Sequence, residues 1–316
     1  MCKLSTLNHK KRVSIIIPAY NEETCLSELR GRLVLLRTSL EDYEFEFIFV
    51  NDGSTDRTLD ILKGFAKDDH SVKVISLSRN FGHEAAISAG CQYATGEAVV
   101  FIDADLQDPP ELIPDLLSKF EEGYDVVYAV RRSRAGESLF KKKTAQWFYS
   151  ILRRLSYIPI PSETSNFRLI SRKALLAFNS LPERDRFIRG MVTWIGFKQT
   201  GIEFDRAPRY AGKTKYTLKR MINFAIDGII GFSNIPLRLA SWVGIMFMVF
   251  SAIVVSLGLL GSPMLNISTT LLITAIFLVG GIQLLILGII AEYIARIHNE
   301  SKARPLYIID EKINIP

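Results

Sequence analysis

From Leu239 to Ala291 the chain contains no Asp, Glu, Lys or Arg, although 23% of its 316 residues are charged. A gap of that length excludes an evenly solvated surface there and predicts membrane-spanning segments. Cysteine is scarce as well: Cys2, Cys25 and Cys91 stand far apart, with no Cys-x-x-Cys pair and only four histidines in the whole chain. That excludes a zinc site built on paired cysteines and reads as reduced cytosolic thiols. No Gly-x-Gly-x-x-Gly follows the first apolar run, which disfavours a dinucleotide-dependent oxidoreductase. A signal-peptide core is also missing, because the apolar stretch after Lys10, Lys11 and Arg12 runs only from Val13 to Ile17 before Pro18. No export of the first domain is expected.

What is present is an alternation of strand-length and helix-length segments. Apolar runs recur at Val13–Ile17, Phe45–Val50, Val72–Leu77, Ala98–Ile102 and Asp125–Val130, with helical spacing in Leu26–Leu40 and Thr58–Lys67. This pattern predicts an α/β domain with a mainly parallel sheet. The segments following the strands are Pro18-Ala19-Tyr20-Asn21-Glu22, Asn51-Asp52-Gly53-Ser54, Arg79-Asn80-Phe81-Gly82 and Asp103-Ala104-Asp105. In open α/β sheets such C-terminal strand ends are where ligands bind. Ser54 or Thr55 is expected to cap the second helix, with Asp56 in its first turn. Asp52 follows a buried strand and needs a partner, either a ligand such as a base-edge N–H or a capping contact.

Asp103 and Asp105 end an apolar strand one residue apart and precede a turn stiffened by Pro109 and Pro110. Paired carboxylates fixed in this way suit Mg²⁺ or Mn²⁺, which take carboxylate, water and phosphate oxygens, and a diphosphate is the expected partner ligand. Past the fifth strand, Arg131, Arg132, Arg134 and Lys141-Lys142-Lys143 precede Trp147-Phe148-Tyr149. The pattern fits a grip on a phosphate headgroup beside an apolar tail, or a solvated basic surface drawn to anionic lipid.

Two apolar stretches, Leu239–Leu260 and Thr269–Ala291, are separated by Gly261-Ser262-Pro263. Each is long enough to cross a bilayer core of about 30 Å at about 1.5 Å per residue. Lys219, Arg220 and Arg238 precede the pair, Arg296, Lys302 and Arg304 follow it, and the intervening loop has neither Lys nor Arg. The asymmetry predicts that both chain ends face the cytoplasm. Thr217–Leu237 reads as an interfacial amphipathic helix or as ordinary domain packing. The expected division is a catalytic domain at 1–216, a juxtamembrane segment at 217–238, two transmembrane helices at 239–291 and a cytoplasmic tail at 292–316. A net charge of +6 suits anionic headgroups and phosphorylated substrates.

Pro-Ala-Tyr-Asn-Glu at 18–22, Asn-Asp-Gly-Ser at 51–54, Asp-Ala-Asp-Leu-Gln-Asp-Pro-Pro at 103–110 and Asn-Phe-Arg-Leu at 166–169, followed by two spans, resemble the polyprenyl-phosphate glycosyltransferases. More narrowly the chain is similar to bacterial bactoprenol glucosyltransferases, relatives of dolichol-phosphate mannose synthase, within family 2 of the GT-A type. The resemblance implies that Pro18, Ala19, Tyr20, Glu22 and Asp52 hold the nucleotide, with Asp103 and Asp105 at the metal and diphosphate and Gln107 facing the sugar. It places Glu183–Gly190 and the Trp194 region behind the donor sugar, and a basic loop with Arg209, Lys213 and Lys215 near the diphosphate. Arg131, Arg132, Lys141, Lys143 and Arg168 are assigned to the acceptor phosphate.

The implied reaction moves a hexose, with glucose from UDP-glucose as the first choice, to undecaprenyl phosphate with inversion. Mg²⁺ or Mn²⁺ is the implied cofactor, the inner membrane the implied site, and a homo-oligomer such as a tetramer the implied assembly. Nucleic acid is not an expected partner.

Two positions depart from the family pattern. Asn166 stands where relatives commonly have Asp, and His83 where they often have Lys. An amide accepts no proton, so Asn166 is expected to orient acceptor or sugar, and His83 to cap or face solvent. A processive polysaccharide synthase is disfavoured by the lack of a Gln-x-x-Arg-Trp sequence and of further spans. A membrane-anchored sensor or scaffold is disfavoured by the convergence of donor, metal and acceptor signals.

Overall fold

The computed structural model describes residues 10–131, 164–205, 242, 246 and 269–315. Strands β1 (Lys11–Ala19), β2 (Tyr43–Asn51), β3 (Val72–Leu77) and β4 (Ala98–Phe101) are rich in β-branched and aromatic residues and pair in parallel as β4-β1-β2-β3. Helices α1 (Leu26–Ser39), α2 (Thr58–Asp68) and α3 (His83–Tyr93) make the crossovers. Alternate strand residues go to opposite faces. Val13, Ile15, Ile17, Phe45, Phe47 and Phe49 pack with α1 and α2, whereas Ile16, Ile48, Val50 and Ile75 pack with α3. Burial on both faces is why these strands read as continuous apolar runs.

After a 3₁₀ turn at Pro110–Leu112 come α4 (Ile113–Glu121), β5 (Val126–Arg131), β6 (Thr164–Ser171), α5 (Arg172–Ser180), α6 (Ile188–Trp194) and β7 (Gln199–Phe204). With a last strand β8 (Ile309–Ile313), the eight-stranded order is β7-β5-β6-β4-β1-β2-β3-β8. The sheet is mainly parallel, as expected, with β6 running antiparallel between β4 and β5. Its pattern is hard to read in advance: Phe167, Leu169 and Ile170 are buried, but so is Arg168 between them. The expected cap of α2 is also corrected. No side chain caps at Arg57; Asp56 Oδ1 accepts the Thr58 N–H at 3.0 Å, and Ser54 instead accepts the N–H of Asn21 at 3.0 Å.

Helix α7 (Thr269–Ser301) has 33 residues and begins where the second apolar stretch was expected, but it continues beyond Ala291. At about 1.5 Å per residue it runs about 50 Å, more than a bilayer core. Among the described residues it contains the one stretch, Ile282–Ser301, long and apolar enough to cross a membrane, and none of that stretch is buried. Of the first expected span only Trp242 and Met246 are described, both helical and exposed; Gly261-Ser262-Pro263 and 217–238 lie outside the described residues.

The end of α7 is tied to the sheet domain. Glu300 Oε1 accepts the backbone N–H groups of Arg184 and Asp185 at 2.7 and 3.3 Å, just before α6. The chain then returns as β8 (Ile309–Ile313), antiparallel to β3, a strand that no sequence pattern singled out. Asn314 closes this edge by donating to the carbonyls of Ala66 and Val72 at 2.7 and 2.9 Å.

A buried polar cluster lies within the sheet. Glu46 accepts from Ser14 Oγ, from Lys73 Nζ, and from Thr95 N and Oγ1 at 2.6 and 2.9 Å. Burial alone would raise the Glu46 carboxyl, but the bonds from Lys73, Ser14 and Thr95 outweigh it and hold the group below its ordinary value. Such a carboxylate stabilises the fold above its unfolded-state pKa of about 4.3, and the contribution is lost as pH falls through the depressed folded value.

Glu46→Ala is expected to lower the unfolding free energy by about 3 kcal/mol at neutral pH, because it strands buried donors. The difference from wild type should shrink under acid, as denaturant titrations of the purified protein would show; equal stability at pH 7 would contradict this role. Truncation after Leu306 should expose β3 as an edge, lowering Tm and promoting aggregation. An unchanged Tm with monodisperse protein would contradict the edge-closing role of β8.

Candidate active site

The C-terminal ends of β1 to β4 meet in one cleft of about 700 Å³. It is lined by Pro18, Ala19, Tyr20 and Glu22 from the first strand end, Asp52 from the second, Asn80, Gly82, His83 and Ala86 from the third, and Asp103, Ala104 and Asp105 from the fourth. Every nucleotide-site residue expected from the sequence within the described residues is thus brought to the same place.

The loops are laced to one another. The Asp52 N–H donates to Ala19 O at 2.9 Å, and Thr55 N donates to Asn21 Oδ1 at 2.8 Å. Asn21 itself has φ 54°, a left-handed conformation that Asn tolerates better than most residues. Gly53 has φ 63°, and a Cβ there would lie 2.3 Å from the Arg79 carbonyl carbon, so only glycine lets the second and third loops touch.

Asp52 is 3% exposed, and its partner within the protein is the third loop. Its Oδ1 and Oδ2 accept the backbone N–H groups of Phe81 and Gly82 at 2.7 and 3.0 Å. Burial still dominates and raises its carboxyl above the ordinary value, against the pull of those two bonds. The Arg79 guanidinium stacks over Phe81 at 4.0 Å and stiffens the same turn.

At the end of β4, Asp105 Oδ1 accepts the Gln107 N–H at 3.1 Å, and Leu106 between them has φ 60° with its side chain buried. The Gln107 side chain is buried and does not line the cleft. Among the described residues no group of three or more His, Cys, Asp and Glu side chains is arranged to hold a metal ion. Asp103 and Asp105 nevertheless supply two hard oxygen donors to an open cleft. That donor set suits Mg²⁺ or Mn²⁺ completing its shell with water and phosphate oxygens.

Behind the carboxylates runs a polar chain. His83 Nε2 lies 3.4 Å from Asp103 Oδ1 and 2.9 Å from Asn166 Nδ2, and Arg189 Nε donates to Asn166 Oδ1 at 2.8 Å. Arg168 is buried against the same group, its Nε donating to Asn166 O at 3.3 Å. Burial, and then the neighbouring Arg189, push its guanidinium below the ordinary arginine value. Asn166 and Arg168 do not line the cleft, whereas His83, expected to cap or face solvent, does. Arg131 ends β5, and its side chain is not described; Arg132, Lys141, Lys143, Arg209 and Lys213 lie outside the described residues.

Asn80 and Gly82 line the cleft from the strand-end segment expected to bind ligands, although no role was assigned to either; Ala86, inside α3, was not singled out by any motif.

The Glycosyl transferase family 2 profile matches residues 14–177. The chain is 48% identical over 307 residues to the uncharacterized glycosyltransferase YkcC of Bacillus subtilis (strain 168), covering 96% of this chain and 94% of that protein. It is 38% identical over 308 residues to the prophage bactoprenol glucosyl transferase homolog of Escherichia coli (strain K12), covering 94% and 98%. It is 39% identical over 303 residues to the bactoprenol glucosyl transferase of Shigella phage SfV, again covering 94% and 98%. Among solved structures it is similar to glucosyl-3-phosphoglycerate synthase from Mycobacterium tuberculosis in complex with Mn²⁺, UDP-glucose and phosphoglyceric acid, at 21% identity and a TM-score of 0.46, covering 70% and 78%. With a mostly parallel α/β sheet of the GT-A type and relatives matched over nearly its whole length, the chain belongs to glycosyl transferase family 2.

Proposed function

We propose that the chain transfers a hexose, with glucose from UDP-glucose as the first choice, to undecaprenyl or another polyprenyl phosphate, with inversion, at the cytoplasmic face of a membrane. The observation that carries this reading is the convergence of Asp103 and Asp105 with Pro18, Ala19, Tyr20, Glu22 and Asp52 in one cleft. Near full-length similarity to bactoprenol glucosyl transferases supports the lipid acceptor. The apolar helix tied to the same domain supports a membrane setting.

In the proposed reaction an oxygen of the lipid phosphate bonds to the anomeric carbon as the bond from that carbon to the diphosphate oxygen breaks. The bonding electron pair leaves on the nucleoside diphosphate. Asp103 and Asp105 would hold Mg²⁺ or Mn²⁺, which when bound neutralises charge on the leaving group. The N–H of Gln107 fixes Asp105 for that task. Asp52 keeps the third loop closed against the nucleotide side through Phe81 and Gly82. A phosphate monoester with a second pKa near about 6 is already largely dianionic at pH 7, so Asn166 need not be a base.

Arg209 and Lys213 for the diphosphate, and Arg131, Arg132, Lys141 and Lys143 for the acceptor phosphate, belong to the same proposal; Arg168, buried outside the cleft lining, is not kept in it. So do two membrane spans at 239–260 and 269–291 with both ends cytoplasmic, supported by the Lys and Arg flanks, and assembly as a homo-oligomer.

The test is incubation of purified protein with undecaprenyl phosphate, Mg²⁺ and radiolabelled UDP-glucose, UDP-galactose and UDP-N-acetylglucosamine. One donor is expected to give a lipid-extractable product, and Asp105→Ala should lower its formation by at least about 100-fold. Equal product from wild type and variant would contradict the role of the carboxylates. Below pH 6 the rate should fall about tenfold per unit as the acceptor monoester gains its proton. A flat rate from pH 7 to pH 5 would contradict attack by the dianion.

A further inference from the structure

The arrangement of Asn166 settles the proton on His83. Arg189 carries only N–H groups, so the Asn166 atom 2.8 Å from its Nε must be the amide oxygen. The amide nitrogen then faces His83 Nε2 at 2.9 Å and can only donate. His83 Nε2 must accept with its lone pair, which leaves the ring proton on Nδ1. The 3.4 Å approach of Nε2 to Asp103 Oδ1 is therefore a contact of two acceptors and not a hydrogen bond. Among the described residues no acceptor meets His83 Nδ1, although the ring lines the cleft.

From this the geometry points to His83 as a ligand-contacting residue: its Nδ1–H donates to a diphosphate oxygen of the bound nucleotide sugar, and Asn166 is a positioning residue that sets the ring. The inference rests on the reading above that the cleft holds a nucleotide sugar. The cleft already carries the acidic side chains of Glu22, Asp52, Asp103 and Asp105. A diphosphate entering among them needs donors as well as a cation, and His83 supplies one from the first turn of α3, where the helix dipole favours anionic oxygen. Both ends of the Asn166 amide are engaged by Arg189 and His83, so its effect on the reaction passes through the imidazole rather than through acceptor or sugar.

The test is calorimetric binding of UDP-glucose to the full chain in Mg²⁺, with transfer to undecaprenyl phosphate measured alongside. His83→Ala is expected to weaken UDP-glucose binding about tenfold. His83→Asn, which keeps an N–H donor near the Nδ1 position, should stay within about threefold of wild type. Asn166→Ala should weaken binding to a similar degree, and the double variant should be no worse than His83→Ala alone. Nitrogen-15 NMR of the imidazole should show the Nδ1–H tautomer in wild type and its loss in Asn166→Ala. Unchanged affinity in His83→Ala overturns the inference while leaving the carboxylate site standing, and additive losses in the double variant overturn the positioning role of Asn166. Wild type that binds no UDP-sugar overturns this inference together with the proposed function.

Discussion

The structure depends on where β4 stops. Four buried residues, Ala98–Phe101, are held between β1 and β6, and the chain then emerges as Asp103 and Asp105 into the cleft. Two carboxylates one residue apart repel each other and need to be solvated or neutralised, so they tolerate only a strand end that opens outward. The flanking residues Ile102, Ala104 and Leu106 are buried, which fixes the direction in which the acids face.

The other strand ends are organised toward the same point by polar contacts rather than by apolar packing. Asp52 fastens the third loop, Gly53 lets the second and third loops meet, and Asn21 links the first loop to the second. Behind the cleft, the polar chain from Arg189 through Asn166 ends on His83, which lines it. Each of these groups is half-buried or buried, so its lost hydration must be replaced by a specific partner. The rim is thereby set before any ligand arrives.

The strands carrying the cleft were legible in the sequence because they are buried on both faces. Val13–Ile17, Phe45–Val50, Val72–Leu77 and Ala98–Ile102 each fall on an observed strand to within a few residues. The carboxylate pair and the loops that line the cleft were legible for the related reason that polar residues after an apolar run must mark its open end. What escaped was decided by long-range pairing. β6 hides a buried Arg168 among apolar neighbours, and β8 sets three consecutive charged residues, Asp310-Glu311-Lys312, between Ile309 and Ile313 at a sheet edge. Asp52 was expected to need either a ligand or a capping contact, and the backbone N–H groups that hold it lie 29 and 30 residues away, beyond the reach of a local pattern. His83 looked like a surface residue because its partner Asn166 lies 83 positions along the chain.

The central claim is that a divalent cation joins the β4 carboxylates to a nucleotide sugar. Equilibrium binding of UDP-glucose with and without Mg²⁺ or Mn²⁺, to wild type and to an Asp103→Ala/Asp105→Ala double variant, tests it most directly. The account predicts binding that chelation abolishes, that either cation restores, and that the double variant lacks under every condition. Binding of equal strength in chelator and in magnesium, unaffected by loss of both acids, would contradict it.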